Sequence, residues 1–496
     1  MNGRKPNVLI IMCDQLNAGV LSCYGGPVKA LNLERLASAG VVFENAFCTT
    51  PICTPTRASI LTGKYPHNHG IVGNVWRNEY PWFRGVPVTE EGIREDDLTT
   101  EKILSQNGYH TVHFGKWHVK GDEDLSYYPE MYREHYEYAE EMSEKFQAVR
   151  RLPEDQWLDW YGWALPVKVP EVVKAAVRRF EESGSKIQVH PFTRKIGLLE
   201  MDLEDTFDCR VVDRTLSFLR NTGDEPFMLT CSLNVPHDPN VLPLPFYGMF
   251  PPEDVMLPEN FKFIESLFEN ELSRNIVKAY GEDYVREFLS IYYSSVLMLD
   301  HFVGQILDTL EDKGLKENTI VLFVSDHGDM AGGHGMVWKS TSAFYDEIAR
   351  QAMILSYPAR LKPGRCRVTA SAVDVLPTLV DLCGFCIPED IDGVSLVPYL
   401  EGIADSDGLS RYVYCEKIDW NKGHTREVFP GTPASFMMRN YEWKYIRYHN
   451  GTELLYHLTE DPGEIRNLSS VAEYEEVKRE LCGILSNWLN YSGFRI

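Results

Sequence analysis

Pro6-Asn7-Val8-Leu9-Ile10-Ile11-Met12-Cys13-Asp14-Gln15 is the stretch on which the fold turns. Val8 to Met12 is an unbroken apolar run, short, rich in branched side chains, and ended almost at once by a carboxylate. A strand covered on both faces has this texture. The run carries no small-residue cleavage site, so it reads as a buried strand and not as a secretory leader. Similar runs recur at Thr111 to Phe114, Phe227 to Leu233 and Ile320 to Val324. Helical periodicity lies between and around them, at Asn32 to Ala39, Thr100 to Asn107, Asp205 to Asn221, Glu282 to Lys313 and Val373 to Leu382. The alternation predicts an α/β chain with a large, mostly parallel sheet sandwiched by helices.

Reactive side chains follow these strands closely. Asp14 ends the first, Lys116 and His118 follow Phe114, His237 follows Leu233, and Asp326 follows Val324. Open α/β sheets bind ligands beyond the carboxyl ends of their strands. Segments far apart in sequence are thus expected to deliver these groups to one edge and one active site.

Outward from that core the texture changes twice. Tyr127 to Phe180 is rich in Glu, Arg, Tyr and Trp, with helical character, and reads as part of an insertion at about residues 120–200. After about residue 405, Arg411 to Cys415, Ala434 to Arg439 and Trp443 to Tyr448 read as antiparallel strands, and Val471 to Leu489 as a closing helix. The expected division is a catalytic domain over 1–405 and a smaller α+β C-terminal subdomain over 406–496.

The 496 residues carry 72 acidic against 49 basic side chains, a formal net charge of -23. That balance, without a basic tract, speaks against nucleic-acid and anionic-membrane partners. An anionic substrate would have to be captured locally, by a few basic groups in one cleft. No apolar run is long enough to span a bilayer. The 11 cysteines are scattered, several in apolar runs, which suits reduced core thiols and a cytoplasmic location. Cys383 and Cys386 form a lone CxxC, read as a helix end followed by a loop.

The stretch richest in chemistry is Pro51-Ile-Cys-Thr-Pro-Thr-Arg-Ala-Ser-Ile-Leu-Thr-Gly63. Cys53, Pro55 and Arg57 form a C-x-P-x-R motif ahead of an apolar helical turn. A cysteine there sits at or just before a helix N-terminus, where exposed N–H groups favour an anion, and Arg57 adds a fixed positive charge. An unmodified thiol in that setting is acidic and nucleophilic.

With PNVLIIMCDQ, GYHTVHFGKWH, NVPHDP, NTIVLFVSDHGDMAGGHGMVWK, DVLPTLVDLCG and YHLTEDPGEIRNL, in that order over nearly the whole chain, this motif resembles the sulfatase family of the alkaline-phosphatase-like superfamily. The resemblance implies that a maturation enzyme oxidises Cys53 to formylglycine. The hydrated aldehyde then attacks sulfur through one hydroxyl, and the second expels sulfate. It also implies a sulfuric ester hydrolase that releases an alcohol and inorganic sulfate.

By the same resemblance Asp14 and Gln15 match the first metal-binding pair, Asp326 and His327 match the second, and Cys53 stands beside the ion. Many members carry two aspartates at the first pair; Gln15 offers an amide oxygen and one less charge. Oxygen-rich ligation implies calcium, with manganese or magnesium as alternatives. Arg57, Lys116 and Lys339 match sulfate-holding groups, His118 the base of the second half-reaction, and His237 the acid for the leaving oxygen. Asn74 matches an asparagine that some phosphonate and phosphate-ester relatives place near the metal. A phosphonate or phosphate mono- or diester hydrolase of the same superfamily is the alternative reading. A silent binding protein is disfavoured, because Cys53 and the metal carboxylates are all present. The expected substrate is a small or terminal sulfate ester of a sugar, aryl or alkyl alcohol. Trp420, His424 and Arg426 are candidate substrate contacts in the loop from Glu416 to Pro430.

Overall fold

The computed structural model describes residues 4–74, 92–93, 96–119, 130–133, 137–160, 162–340, 342–403, 410–418 and 433–491. Eight strands form the main sheet. They run in the order Gly364–Cys366, Val41–Phe43, Met353–Ser356, Thr319–Ser325, Asn7–Asp14, Phe227–Pro236, His110–Gly115 and Glu130–Arg133. Asn7–Asp14 lies between Thr319–Ser325 and Phe227–Pro236 and is parallel to both. Met353–Ser356 is antiparallel to its neighbours.

The central strand shows why the sequence runs apolar without a break. Leu9, Ile11 and Cys13 pack on one face with Val211, Phe288 and Tyr292. Val8, Ile10 and Met12 pack on the other with Ile60, Leu104 and Leu379. Successive side chains point to opposite faces, and here both faces are covered. Each such buried aliphatic side chain contributes roughly 1.5–3 kcal/mol of hydrophobic stabilisation.

The covering helices include Phe207–Asn221, Glu282–Asp312 and Val375–Leu382. Their positions agree with the periodicity to within about one turn, and Cys383 caps the last of them while Cys386 is exposed beyond it. The residues after about 410 form a four-stranded antiparallel sheet, Val413–Ile418, Ala434–Arg439, Trp443–Arg447 and Glu453–His457, closed by the helix Glu475–Tyr491. Its Leu481, Leu485 and Leu489 pack on Phe436, Met438 and Tyr445. Buried ion pairs fasten this sheet to the rest: Arg439 meets Asp346 at 2.8 Å, and Lys444 meets both Asp346 and Glu464 at 2.6 Å.

The insertion differs from its helical reading. Glu137–Glu141, Ser143–Val149 and Glu171–Glu182 are helices, but Trp157–Trp160 and Trp163–Lys168 are paired antiparallel strands. The turn between them includes Gly162 at φ 95°, and Leu158 and Trp160 alternate inward with half-buried neighbours. The two-residue period was hidden by the charged residues on either side.

Candidate active site

The site is built where the strands end. Asp14 is the last residue of its strand and Gln15 turns away from it at φ 61°. The helix Glu282–Asp312 holds this turn, because the Tyr292 hydroxyl donates to the Gln15 carbonyl (2.7 Å) and accepts from Asn17 N–H (2.9 Å). Asp326 and His327 follow Thr319–Ser325, and Asp326 accepts from the backbone N–H groups of Gln15 and His327. Lys116 follows His110–Gly115. Gly115 is required there: at φ 103° its backbone runs so close that a Cβ would meet the Ser232 carbonyl oxygen at 1.9 Å.

Cys53 is the first residue of the helix Cys53–Thr62, every residue of which is buried. Its Sγ lies 3.6 Å from Asp14 Oδ1, 3.2 Å from His327 Nε2 and 3.4 Å from Lys339 Nζ. Asn74 accepts from Thr54 N–H at 3.1 Å and so caps this helix beside Cys53. Arg57, one turn on, is the hub: Nε meets Asp326 at 2.8 Å, Nη2 meets Asp14 at 3.1 Å, and Nη1 donates to the Lys116 carbonyl and the Ser232 hydroxyl. Lys116 Nζ reaches Asp14 Oδ2 at 2.8 Å. His237 Nε2 is in hydrogen-bond contact with Lys339 Nζ, and its Nδ1 faces the Asp238 carbonyl. His118, half-buried at φ 49°, stands two residues beyond Lys116.

Electrostatics couple these groups. Burial and Asp14 oppose ionisation of Cys53, but Lys339, Lys116 and His327 outweigh them and hold its thiol well below the ordinary range. Burial likewise penalises the Asp14 carboxylate, yet Lys116, His237, Arg57 and Lys339 keep it ionised. Asp326 is pushed up to about 6 by burial and by Asp14, so one carboxylate of the pair lacks full compensation. His327 rises to about 9 against its burial, through Asp326, Cys53 and Asp14.

Ligand atoms of Asp14, Cys53, Asp326 and His327 all lie within 4.8 Å of one another. Gln15 Oε1 is buried without a hydrogen-bond partner, whereas its Nε2 donates to Asp329 at 2.6 Å. His327 Nδ1 faces the Gly328 carbonyl at 2.8 Å, which fixes the ring with Nε2 toward the cluster. An undercompensated carboxylate pair, an orphan amide oxygen and an oriented imidazole suit a cation.

The sulfatase family model matches residues 6–385. The chain belongs to the sulfatase family. A second model, described as N-sulphoglucosamine sulphohydrolase, C-terminal, matches residues 332–489 of this sulfatase. An N-acetylglucosamine-6-O-sulfatase of Bacteroides thetaiotaomicron is 25% identical, with 97% of this chain and 86% of that one covered. A solved structure in complex with its substrate D-glucosamine-2-N,6-O-disulfate is 21% identical with a TM-score of 0.71, over 99% of this chain and 98% of that one. The phosphonate monoester hydrolase of Agrobacterium radiobacter is 22% identical with a TM-score of 0.73, over 98% and 96%. The fold is the alkaline-phosphatase-like one, and the protein is a sulfuric ester hydrolase.

Asp14, Gln15, Arg57, Lys116, His237, Asp326, His327 and Lys339 thus gather around Cys53, and Asn74 joins them through the helix it caps. Trp420, His424 and Arg426 lie outside the described residues. Three groups of the sulfatase site went unnoticed in the sequence: Asp329, which holds the Gln15 amide; Ser232, which holds Arg57; and Asp238, beside His237. Asp329 stands two residues after the Asp326-His327 pair, and that repeat of an acid was its one visible signal. No helix among the described residues is long and apolar enough to cross a membrane.

Proposed function

We propose that position 53, as formylglycine, works beside a divalent cation held by Asp14, Gln15, Asp326 and His327 to hydrolyse a small sulfate ester. The observation that carries this is the convergence of two buried carboxylates and an imidazole nitrogen on the Cys53 side chain, with the buried, unpartnered amide oxygen of Gln15 on the residue after Asp14. The predominance of oxygen donors favours calcium. When bound, the cation polarises the sulfate oxygens and the aldehyde hydrate supplies the nucleophilic hydroxyl.

The chain's own residues supply the rest. Arg57 fixes Asp14 and Asp326 in orientation through two buried ion pairs. Lys116 and Lys339 bring positive charge to the non-bridging oxygens in a dry, preorganised setting. Lys339 Nζ donates to His237 Nε2, so the departing alkoxide would draw its proton through this Lys339–His237 pair, with His237 Nδ1 anchored on the Asp238 carbonyl. His118 accepts a proton in the half-reaction that releases sulfate.

Burial also bears on maturation. Cys53, Pro55 and Arg57 are enclosed in the folded chain, so the partner enzyme would read the motif before folding is complete. The eleven free thiols support a reducing, cytoplasmic location, which cell fractionation would test.

The deciding experiment compares 4-nitrophenyl sulfate with the corresponding phenylphosphonate ester on metal-loaded and chelator-treated protein. The sulfate ester should turn over faster, and chelation should abolish turnover. A faster phosphonate reaction would transfer the site to the alternative chemistry, and turnover unaffected by chelation would remove the cation from it.

A further inference from the structure

Lys339 and His237 stand 102 residues apart in sequence, and their contact is one rung between the two segments that carry them. A second rung lies beside it. The Trp338 indole Nε1–H donates to Asn240 Oδ1 at 2.8 Å. Trp338 is 7% exposed and Asn240 5%, so this bond is shielded from water. The residue before Lys339 thus holds the residue three after His237.

The backbone of Trp338 shows that the rung bears a strain. Its φ of 68° puts a bulky residue in the left-handed region, at a cost of roughly 1–2 kcal/mol. Such a conformation persists only where the surroundings hold it. The Trp338 N–H donates to Asp329 Oδ1 at 3.1 Å, and its carbonyl accepts from Met330 N–H at 3.1 Å. The indole is held by Asn240, and the His190 ring lies against it with centroids 5.0 Å apart. Asn240 is itself fixed: its carbonyl accepts from Gly197 N–H at 3.0 Å, and Val241–Leu242 pairs with Gly197–Leu199. His190 and Gly197 both belong to the insertion, so the insertion braces the indole. A right-handed Trp338 would re-aim the chain at Lys339, whose Nζ is 3.4 Å from Cys53 Sγ.

We propose that Trp338 and Asn240 are positioning residues for the Lys339–His237 pair. Their rung fixes the backbone ahead of Lys339 and so aligns the pair that delivers the leaving-group proton. The role of the pair rests on the sulfatase mechanism above; the rung does not.

The test uses three variants as matured, metal-loaded enzymes. Trp338→Phe keeps an aromatic ring and removes the N–H, Asn240→Leu keeps the shape and removes the acceptor, and the third combines both. Phenyl sulfate is compared with 4-nitrophenyl sulfate, since only the poorer leaving group needs the proton. Each single variant should lower kcat on phenyl sulfate about 10–100-fold, the scale of a small misplacement, with KM little changed. The loss on 4-nitrophenyl sulfate should be far smaller. The double variant should lose no more than either single one, as a shared bond requires. Wild-type kcat on phenyl sulfate from a folded single variant would overturn the proposal. So would equal losses on the two esters, which mark general damage, or losses that multiply in the double variant, which mark independent roles. If neither single variant folds, hydrogen exchange at the Trp338 indole N–H of the wild type decides: protection supports the rung, and exchange at the solvent rate overturns it. Hydrolysis of neither ester by the wild type would contradict the sulfatase mechanism instead, and the same exchange measurement then decides the rung.

Discussion

Replacing Asp329 with asparagine tests how the cation site is held. Asp329 Oδ2 accepts from Gln15 Nε2 at 2.6 Å, while Oδ1 accepts from Ala331 N–H at 2.7 Å and Trp338 N–H at 3.1 Å. An asparagine has one carbonyl oxygen, and the two backbone donors claim it. Its NH2 group then faces the NH2 group of Gln15. If Gln15 stays, two buried donors oppose each other, at a cost of about 1–3 kcal/mol. If Gln15 turns over, its nitrogen takes the place of Oε1 and the cation loses a ligand. Either way the support of a ligand is lost, a change that typically lowers metal affinity about 10–100-fold. Calcium titration of metal-stripped Asp329→Asn, followed calorimetrically, should show that loss, and urea unfolding of the metal-free protein should show the loss of stability if Gln15 stays in place. A folded variant that binds calcium as tightly as wild type would refute the claim that Gln15 is a ligand oriented by Asp329.

Other perturbations separate the parts of the account. His237→Ala should slow alkyl sulfate hydrolysis by about 10²–10⁴-fold but affect 4-nitrophenyl sulfate far less, since only the poorer leaving group needs the proton; equal losses on both would move His237 out of the acid role. Lys444→Met removes the cation from buried Glu464 and leaves half-buried Asp346 with Arg439 alone, and should cost up to about 3–5 kcal/mol in denaturant unfolding, whereas an unchanged midpoint would show that Lys444 contributes nothing to the ionic joint. His69 is buried and held neutral, with Nδ1 accepting from Ile71 N–H and Nε2 in contact with the Ser59 hydroxyl, and burial pushes it down to about 3. The unfolded chain protonates this group near pH 6.5 and the folded one does not, so stability present above that pH is lost as pH falls toward 3, by roughly 4–5 kcal/mol in all. His69→Gln should flatten that slope in acid unfolding, and an unaltered slope would exclude His69 as its source.

What was legible in the sequence follows from what local pattern can encode. The unbroken apolar run from Val8 to Met12 announces a strand covered on both faces, and the structure covers both. Helices with strong amphipathic periodicity, such as Glu282–Asp312, were visible for the same reason. The hairpin at Trp157–Lys168 was not, because its alternation lasts only a few residues and sits among charged helical texture. Two-residue strands such as Ala46–Phe47 carry no period at all. Within the site, residues at strand ends were found because strand ends predict ligand edges. Asp329 and Ser232 were missed because they act on other side chains, Gln15 and Arg57, and that relation exists only in three dimensions. The Trp338 indole meets Asn240 across 98 positions of sequence, which no local pattern reports.

The central claim is that position 53, converted to formylglycine, is the nucleophile. Its most direct test is the mass of the peptide carrying residue 53, measured on fractions whose sulfate release is assayed in parallel. Sulfate release should rise in proportion to the fraction of chains with an aldehyde in place of the Cys53 thiol, and Cys53→Ala should be folded and inactive. Full sulfate release from chains that carry only the thiol would contradict the account.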